Sequence, residues 1–229
     1  GSAMIGPRFA ERLTRWRYAW LSGRREPLWF PLVALGFFVL ITAMLRHPSI
    51  RFDLARAYLG FIVPLTSGVL AAYSILEDPA RELRFSTPLR SSRWLAARLG
   101  SILGIQAMCV AIYEALALTM QVDFSPLGGF WAVQAAWFVP TLALVSLGCA
   151  ASLAAAQSAV GAFAVGATWL LQLLMKSWLE TNVKPLYLFL SALTPHDPAL
   201  AVNQATLLGL GILGLFLSGW LLRRPERFL

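Results

Sequence analysis

Apolar residues occupy this chain in six long blocks separated by short polar breaks. Each block has the length of a membrane crossing. An α-helix rises 1.5 Å per residue, so about 20 apolar residues cover the hydrocarbon core of a bilayer. The blocks predict spans at Leu28–Leu45, Ala57–Leu76, Trp94–Met120, Phe130–Ala156, Val160–Leu179 and Ala205–Leu222. Upstream, Phe9, Leu13, Trp16 and Trp20 recur at four, three and four residues, which stacks them on one helix face. Arg8, Arg12 and Arg15 flank that face on one side and Arg17 on the other. This pattern predicts an amphipathic helix over residues 4–26, lying in the headgroup plane and binding membrane lipid. It serves either as a topology anchor or as a docking point for a partner. Gly1-Ser2-Ala3 ahead of Met4 reads as an expression remnant, and no cleavable signal peptide is expected.

Two breaks differ from simple turns. The segment from Glu77 to Arg93 is charge-dense: Asp78-Pro79 is a helix start, with an N-capping carboxylate before a proline at the first helical position, and Thr87-Pro88 is a stop. It predicts a helix of one to two turns presenting Glu77, Asp78, Arg81, Glu82, Leu83 and Arg84. The second break, Glu180–Gln204, is long and surprisingly apolar. Its run Pro185-Leu186-Tyr187-Leu188-Phe189-Leu190 is too short to cross, and Pro195-His196-Asp197-Pro198 closes it. It predicts a re-entrant or interfacial helix that caps something, because irregular backbone at membrane depth must be buried in protein or line a wet cavity. The break at Gln157-Ser158 must be a tight hairpin. Small residues around it, among them Gly148, Ala151, Ser152, Gly161 and Gly166, predict close helix approach and a candidate dimer seam.

Charge orients the bundle. Thirteen basic residues lie before the first block, in the second connection and in the tail, against Arg46, Arg51, Arg56 and Lys184 in the opposite connections. The positive-inside rule then puts both termini and the Glu77–Arg93 segment in the cytoplasm. Composition agrees on class: 58% hydrophobic and 13% charged residues lie well outside the globular norm of about 45–50% and about 25%. The net charge of +8 is carried by seventeen arginines and two lysines. With no soluble domain to bind nucleic acid, it reports loops facing anionic lipid.

Catalytic chemistry is missing from the pattern. The chain holds no phosphate-binding loop, no H-E-x-x-H and no C-x-x-C, and no predicted span contains a histidine to act as a base for a serine. Cys109 and Cys149 sit in apolar blocks and indicate neither a disulfide nor a metal cage. The expectation is a non-enzyme with no metal or cofactor of its own. Glu114 is the one acid well inside an apolar block, a candidate for proton relay or for binding a cation. Its position near the outer interface equally allows a simple contact with water. Lys176 is either its ion-pair partner or a snorkelling side chain. Gln106, Gln134, Gln157 and Gln172 either line a polar path or bond between helices. Tyr187 and Phe189 are candidate gate residues.

The whole pattern resembles the permease subunits of type 2 ABC exporters. Glu82-Leu83, the corner Ser86-Thr87-Pro88-Leu89 and the run Arg93-Trp94-Leu95-Ala96-Ala97-Arg98-Leu99 match the family's loop between spans two and three. Pro79-Ala80 stands where that family tends to have Gly-Thr, and Arg84-Phe85 where it tends to have two aliphatics. The resemblance implies an all-α integral membrane protein with one permease domain over residues 27–229. It would have six transmembrane helices, an N-terminal amphipathic interfacial helix, a short cytoplasmic coupling helix and a re-entrant outer helix before the last span. It further implies a multi-pass protein of the cell inner (plasma) membrane, a second copy of the chain as partner, and a cytosolic ABC ATPase subunit that binds the ATP and Mg. The readings from other classes are a stand-alone channel or secondary transporter, which would want paired intramembrane charges or broken helices, and a membrane assembly factor.

Overall fold

The computed structural model describes residues 29–76 and 91–222, with side chains from 95 onward in the second stretch. The described residues are all-helical, with no strand among them. In chain order the helices are α1 (Trp29–Met44), α2 (Pro48–Leu76), α3 (Ser91–Thr119), α4 (Phe130–Ala155), α5 (Ser158–Leu174), α6 (Lys176–Asn182), α7 (Leu190–Leu193) and α8 (Leu200–Leu221). Two 3₁₀ turns, Ser125–Leu127 and Lys184–Leu186, sit in the connections.

Four helices, α2, α3, α4 and α8, are long and apolar enough to cross a membrane. A fifth span arises if α5 and α6 count as one, and they bend by 81° at Met175. The predicted block Val160–Leu179 is therefore broken, and its last residues belong to a separate helix. At 16 residues, α1 covers about 24 Å of axis, short of the roughly 30 Å core.

The second span begins nine residues earlier than the apolar pattern indicates. Pro48 at the first helical turn opens it, and Arg51, Asp53 and Arg56 lie on the helix rather than in a loop. Arg51 donates from Nε to the Leu45 carbonyl at 2.6 Å and from Nη1 to the Met120 carbonyl at 2.7 Å. It thus satisfies orphan carbonyls just past the ends of α1 and α3. Asp53 accepts from Arg56 at 2.8 Å. These charges, read as topology signals, also tie the ends of helices together. The last span likewise starts at Leu200 rather than Ala205.

α4 is the centre of the bundle and packs against α2, α5 and α8. Glycine permits the approach: a Cβ on Gly148 would lie 2.5 Å from the Gly68 carbonyl oxygen, and one on Gly161 would collide with Ser152 Oγ. Ser152 in turn donates to the Ala72 carbonyl across the α2–α4 contact at 3.1 Å. The hairpin between α4 and α5 turns on Ala156 in the left-handed region (φ 54°) and Gln157 in extended backbone. The small residues thus serve, at Gly148, Ser152 and Gly161, a seam within one chain. Three buried apolar clusters flank this seam, one of them built around Tyr187, Leu188, Phe189 and Leu190.

Candidate functional site

The connection between α6 and α8 folds back into the end of the bundle. Tyr187, Phe189 and Leu190 are completely buried, and Leu188 nearly so. The predicted helix over 185–190 is not formed. Instead, the 3₁₀ turn Lys184–Leu186 leads into irregular backbone at Tyr187–Phe189, and one helical turn, α7, follows. Pro185 explains the early break, since it has no N–H to donate.

Irregular backbone in an apolar bundle must find partners for its amides. Side chains supply them here. Gln172 of α5 donates from Nε2 to the Leu186 carbonyl at 3.1 Å and accepts on Oε1 from the Leu188 N–H at 3.2 Å. One amide side chain therefore brackets Tyr187 as a neighbouring strand would. Asn203 of α8 directs Nδ2 at the carbonyls of Tyr187 (2.8 Å), Lys184 (2.9 Å) and Pro185 (3.2 Å). Lys184 Nζ lies 2.6 Å from Asp197 Oδ2, which joins the two ends of the segment. Asp197 Oδ1 also accepts the Ala199 N–H at 2.8 Å, beside the start of α8. The Lys184 hydrogen bond, followed by that N–H, holds the Asp197 carboxyl below the usual carboxylate range.

The aromatic side of this cap meets a break in α2. Residues Tyr58–Ile62 form a π-turn, in which the Val63 N–H reaches back to the Tyr58 carbonyl. Pro64 follows at once and offers no N–H, so the regular ladder cannot resume there. The Phe61 carbonyl at this turn accepts from Trp169 Nε1 of α5 at 2.9 Å. The Phe61 ring lies 4.4 Å from that of Phe189, and Trp169 stands edge-on to Phe189 at 6.2 Å. Gly60 is where α7 rests: a Cβ there would be 2.5 Å from Ala192 Cβ.

Among the described residues, three buried polar atoms in this region make no hydrogen bond: Tyr187 Oη, Asn203 Oδ1 and Glu180 Oε1. The cap is thus well satisfied along its backbone and unsatisfied at a few side-chain tips.

Of the residues singled out from sequence, Tyr187 and Phe189 meet in this cap, 5.9 Å apart and edge-on. Glu114 and Lys176 do not join them, and they do not pair. Glu114 accepts from Gln134 Nε2 of α4 on both carboxylate oxygens at 3.0 Å, while Lys176 lies 3.9 Å from Glu180, one turn along α6. The bend at Met175 turns Lys176 out of the span that was expected to carry it. Phe9, Arg12, Leu13, Arg15, Trp16 and Trp20, and the segment with Glu77, Asp78, Arg81, Glu82, Leu83 and Arg84, lie outside the described residues. Sequence reading passed over Asn203, Trp169, Phe61 and the Lys184–Asp197 pair. A usable signal was an asparagine close to the start of an apolar helix and a glutamine inside another, both polar groups needing partners.

Among the described residues no group of His, Cys, Asp and Glu is placed to hold a metal ion. No family model, no curated protein and no solved structure matches the chain.

Proposed function

We propose that the chain is the membrane-spanning permease subunit of an ATP-driven exporter of the type 2 ABC class, working as a homodimer with a separate cytosolic ATPase subunit. In this reading it has six spans. The described spanning helices are joined by α1 as the first span, and α5 with α6 forms the broken fifth. Both termini and residues 77–93 face the cytoplasm on the arginine asymmetry, in the cell inner membrane. No nucleotide motif lies in the sequence, so work driven by ATP needs a partner.

The observation that carries the proposal is the cap. An irregular, buried segment closes one end of the bundle, clamped by side chains of α5 and α8 and set against a π-turn of α2. In this topology the cap lies on the outer side and meets α2 at Tyr58–Ile62, near the middle of that helix and 14 residues before its end at Leu76. A push at those residues by an ATPase would travel along α2 as a rigid element and reach the cap at the π-turn. The cap is then an exit gate. The expected result is co-purification with a soluble ATPase, and loss of coupling between hydrolysis and transport when the charges of Glu82 and Arg84 are reversed together. Transport at full rate by the purified chain without any ATPase would end this reading.

One observation favours a secondary transporter instead. The α5–α6 bend is a broken span of the kind that forms binding sites at the junction of helix ends. The same reconstitution separates the two, since a secondary transporter runs on an ion gradient alone.

A further inference from the structure

Glu114 belongs to a separate constellation on the flank of the bundle, between α3 and α4. Trp137 donates its indole N–H to Gln134 Oε1 at 2.8 Å. An indole is a donor only, so it fixes the orientation of the Gln134 amide and leaves Nε2 to face Glu114. Nε2 then addresses both Glu114 oxygens at an equal 3.0 Å. No lysine, arginine or histidine among the described residues pairs with it. Glu114 is only half-buried.

The surroundings narrow what can supply a positive charge. Leu118, one turn beyond Glu114 on α3, is 63% exposed, and Trp131 and Phe138, one turn either side of Gln134 on α4, are 81% and 39% exposed. An ammonium group is drawn both to a carboxylate and to aromatic faces, and helical spacing puts these two exposed rings one turn from the glutamine that holds Glu114. A single carboxylate is too poor a donor set for a bare divalent ion. Depth adds the rest: Glu114 lies five residues before the end of α3, about 7.5 Å along the axis. At that level an amphiphile keeps its head while its tail runs inward along the apolar flank.

We propose that Glu114, held by Gln134 and Trp137, binds the ammonium group of an amphiphile entering from the side of the bundle. A bilayer lipid headgroup and a free long-chain amine carry the same chemistry. The site is independent of the cap and of the transport reading.

The test uses the full chain in non-ionic maltoside micelles, with dodecyltrimethylammonium as probe and binding measured in excess over empty micelles. Saturable binding of the probe is expected, with tail-matched dodecanol binding at least tenfold more weakly. Glu114→Gln keeps an acceptor for Gln134 but no charge, and should lower probe affinity at least tenfold with an unchanged melting temperature. Glu114→Asp should retain binding within a few-fold. Displacement of the probe by phosphatidylethanolamine would assign the site to a lipid headgroup, and resistance to displacement to a free amine. Equal binding of dodecanol and probe to the unaltered protein, a comparison needing no variant, overturns the proposal. So does a Glu114→Gln protein that binds the probe normally but no longer self-associates, which would give the carboxylate to a second copy.

Discussion

The seam between α2, α4 and α5 and the cap at the end of α8 are both buried in the same bundle, yet they are held in opposite ways. In the seam, backbones touch: the Gly68 carbonyl lies where a Gly148 Cβ would be, and Gly161 nestles against Ser152. In the cap, apart from the close approach of α7 to Gly60, the backbone is joined to its neighbours by side chains, with Gln172 and Asn203 carrying the hydrogen bonds. Inside a bilayer the seam gains nothing from leaving water, so its stability rests on van der Waals contact over a long interface. Such contact fails all at once or not at all. The cap rests on a few directional bonds, each worth about 0.5–1.5 kcal/mol net. It can therefore be released as a unit while the seam stays closed, which is what a gate requires.

The sharpest break of that contrast is in the seam. Gly148→Leu forces a side chain into the Gly68 carbonyl and should cost about 3 kcal/mol or more, at the upper end of overpacking effects. The expected outcome is loss of the monodisperse peak in size-exclusion chromatography. Gly166→Leu, at a position where an added Cβ meets nothing within 4 Å, is the control and should behave as the parent protein. If both variants run alike, the seam is not the rigid body described.

Next comes the cap. Asn203→Leu has similar volume but leaves the Tyr187 carbonyl without its 2.8 Å donor, an expected local cost of about 1–3 kcal/mol. Hydrogen exchange should speed at residues 184–190 and stay unchanged in α4. Transport per folded complex should change with it if the cap is a gate. Faster exchange throughout α4 would show that cap and seam open together, and the distinction would fall.

What could be read from sequence divides along the same line. The small residues of α4 and α5 announced the close approach, because glycine and alanine leave little else to conclude. The hairpin at Gln157 was legible from the shortness of its break. The cap was legible as a location, since five apolar residues after Pro185 cannot cross a membrane, but not as a structure. Its irregular backbone depends on partners distant in sequence: Asn203 sixteen residues on, Gln172 on the far side of a bend, and Phe61 on another helix. The true start of α2 was hidden for a related reason. Arg51, Asp53 and Arg56 suggest water, and only the spent carbonyls of Leu45 and Met120 explain why Arg51 sits on a helix.

A smaller effect is expected at the Lys184–Asp197 pair. Asp197 titrates below its ordinary value in the folded protein, so the stability it contributes is present above the unfolded value near 3.8. That contribution is lost as pH falls through the lower, folded value. Cap exchange, corrected for intrinsic rates, should therefore stay flat from about pH 8 to about pH 5 and rise only in stronger acid. Asp197→Asn should raise cap exchange at neutral pH and remove that acid-induced rise. A cap that opens as readily at pH 4 in the Asn variant as in the parent sets the latch aside.

The smallest expected effect concerns the Tyr187 hydroxyl, which is fully buried and makes no hydrogen bond among the described residues. An unpaired buried hydroxyl opposes folding, and the ring around it already packs against Phe189. Tyr187→Phe removes the hydroxyl and keeps the ring, so the melting temperature should hold or rise by a degree or two, on the order of 0.5 kcal/mol. Tyr187→Leu changes the packing as well and should lower it, which separates the hydroxyl from the ring. If Tyr187→Phe instead destabilises the cap by as much as Asn203→Leu, the hydroxyl has a partner outside the described residues. The cap would then be closed by a bonded network reaching beyond Gln172 and Asn203, and its release would demand that this bond be broken too.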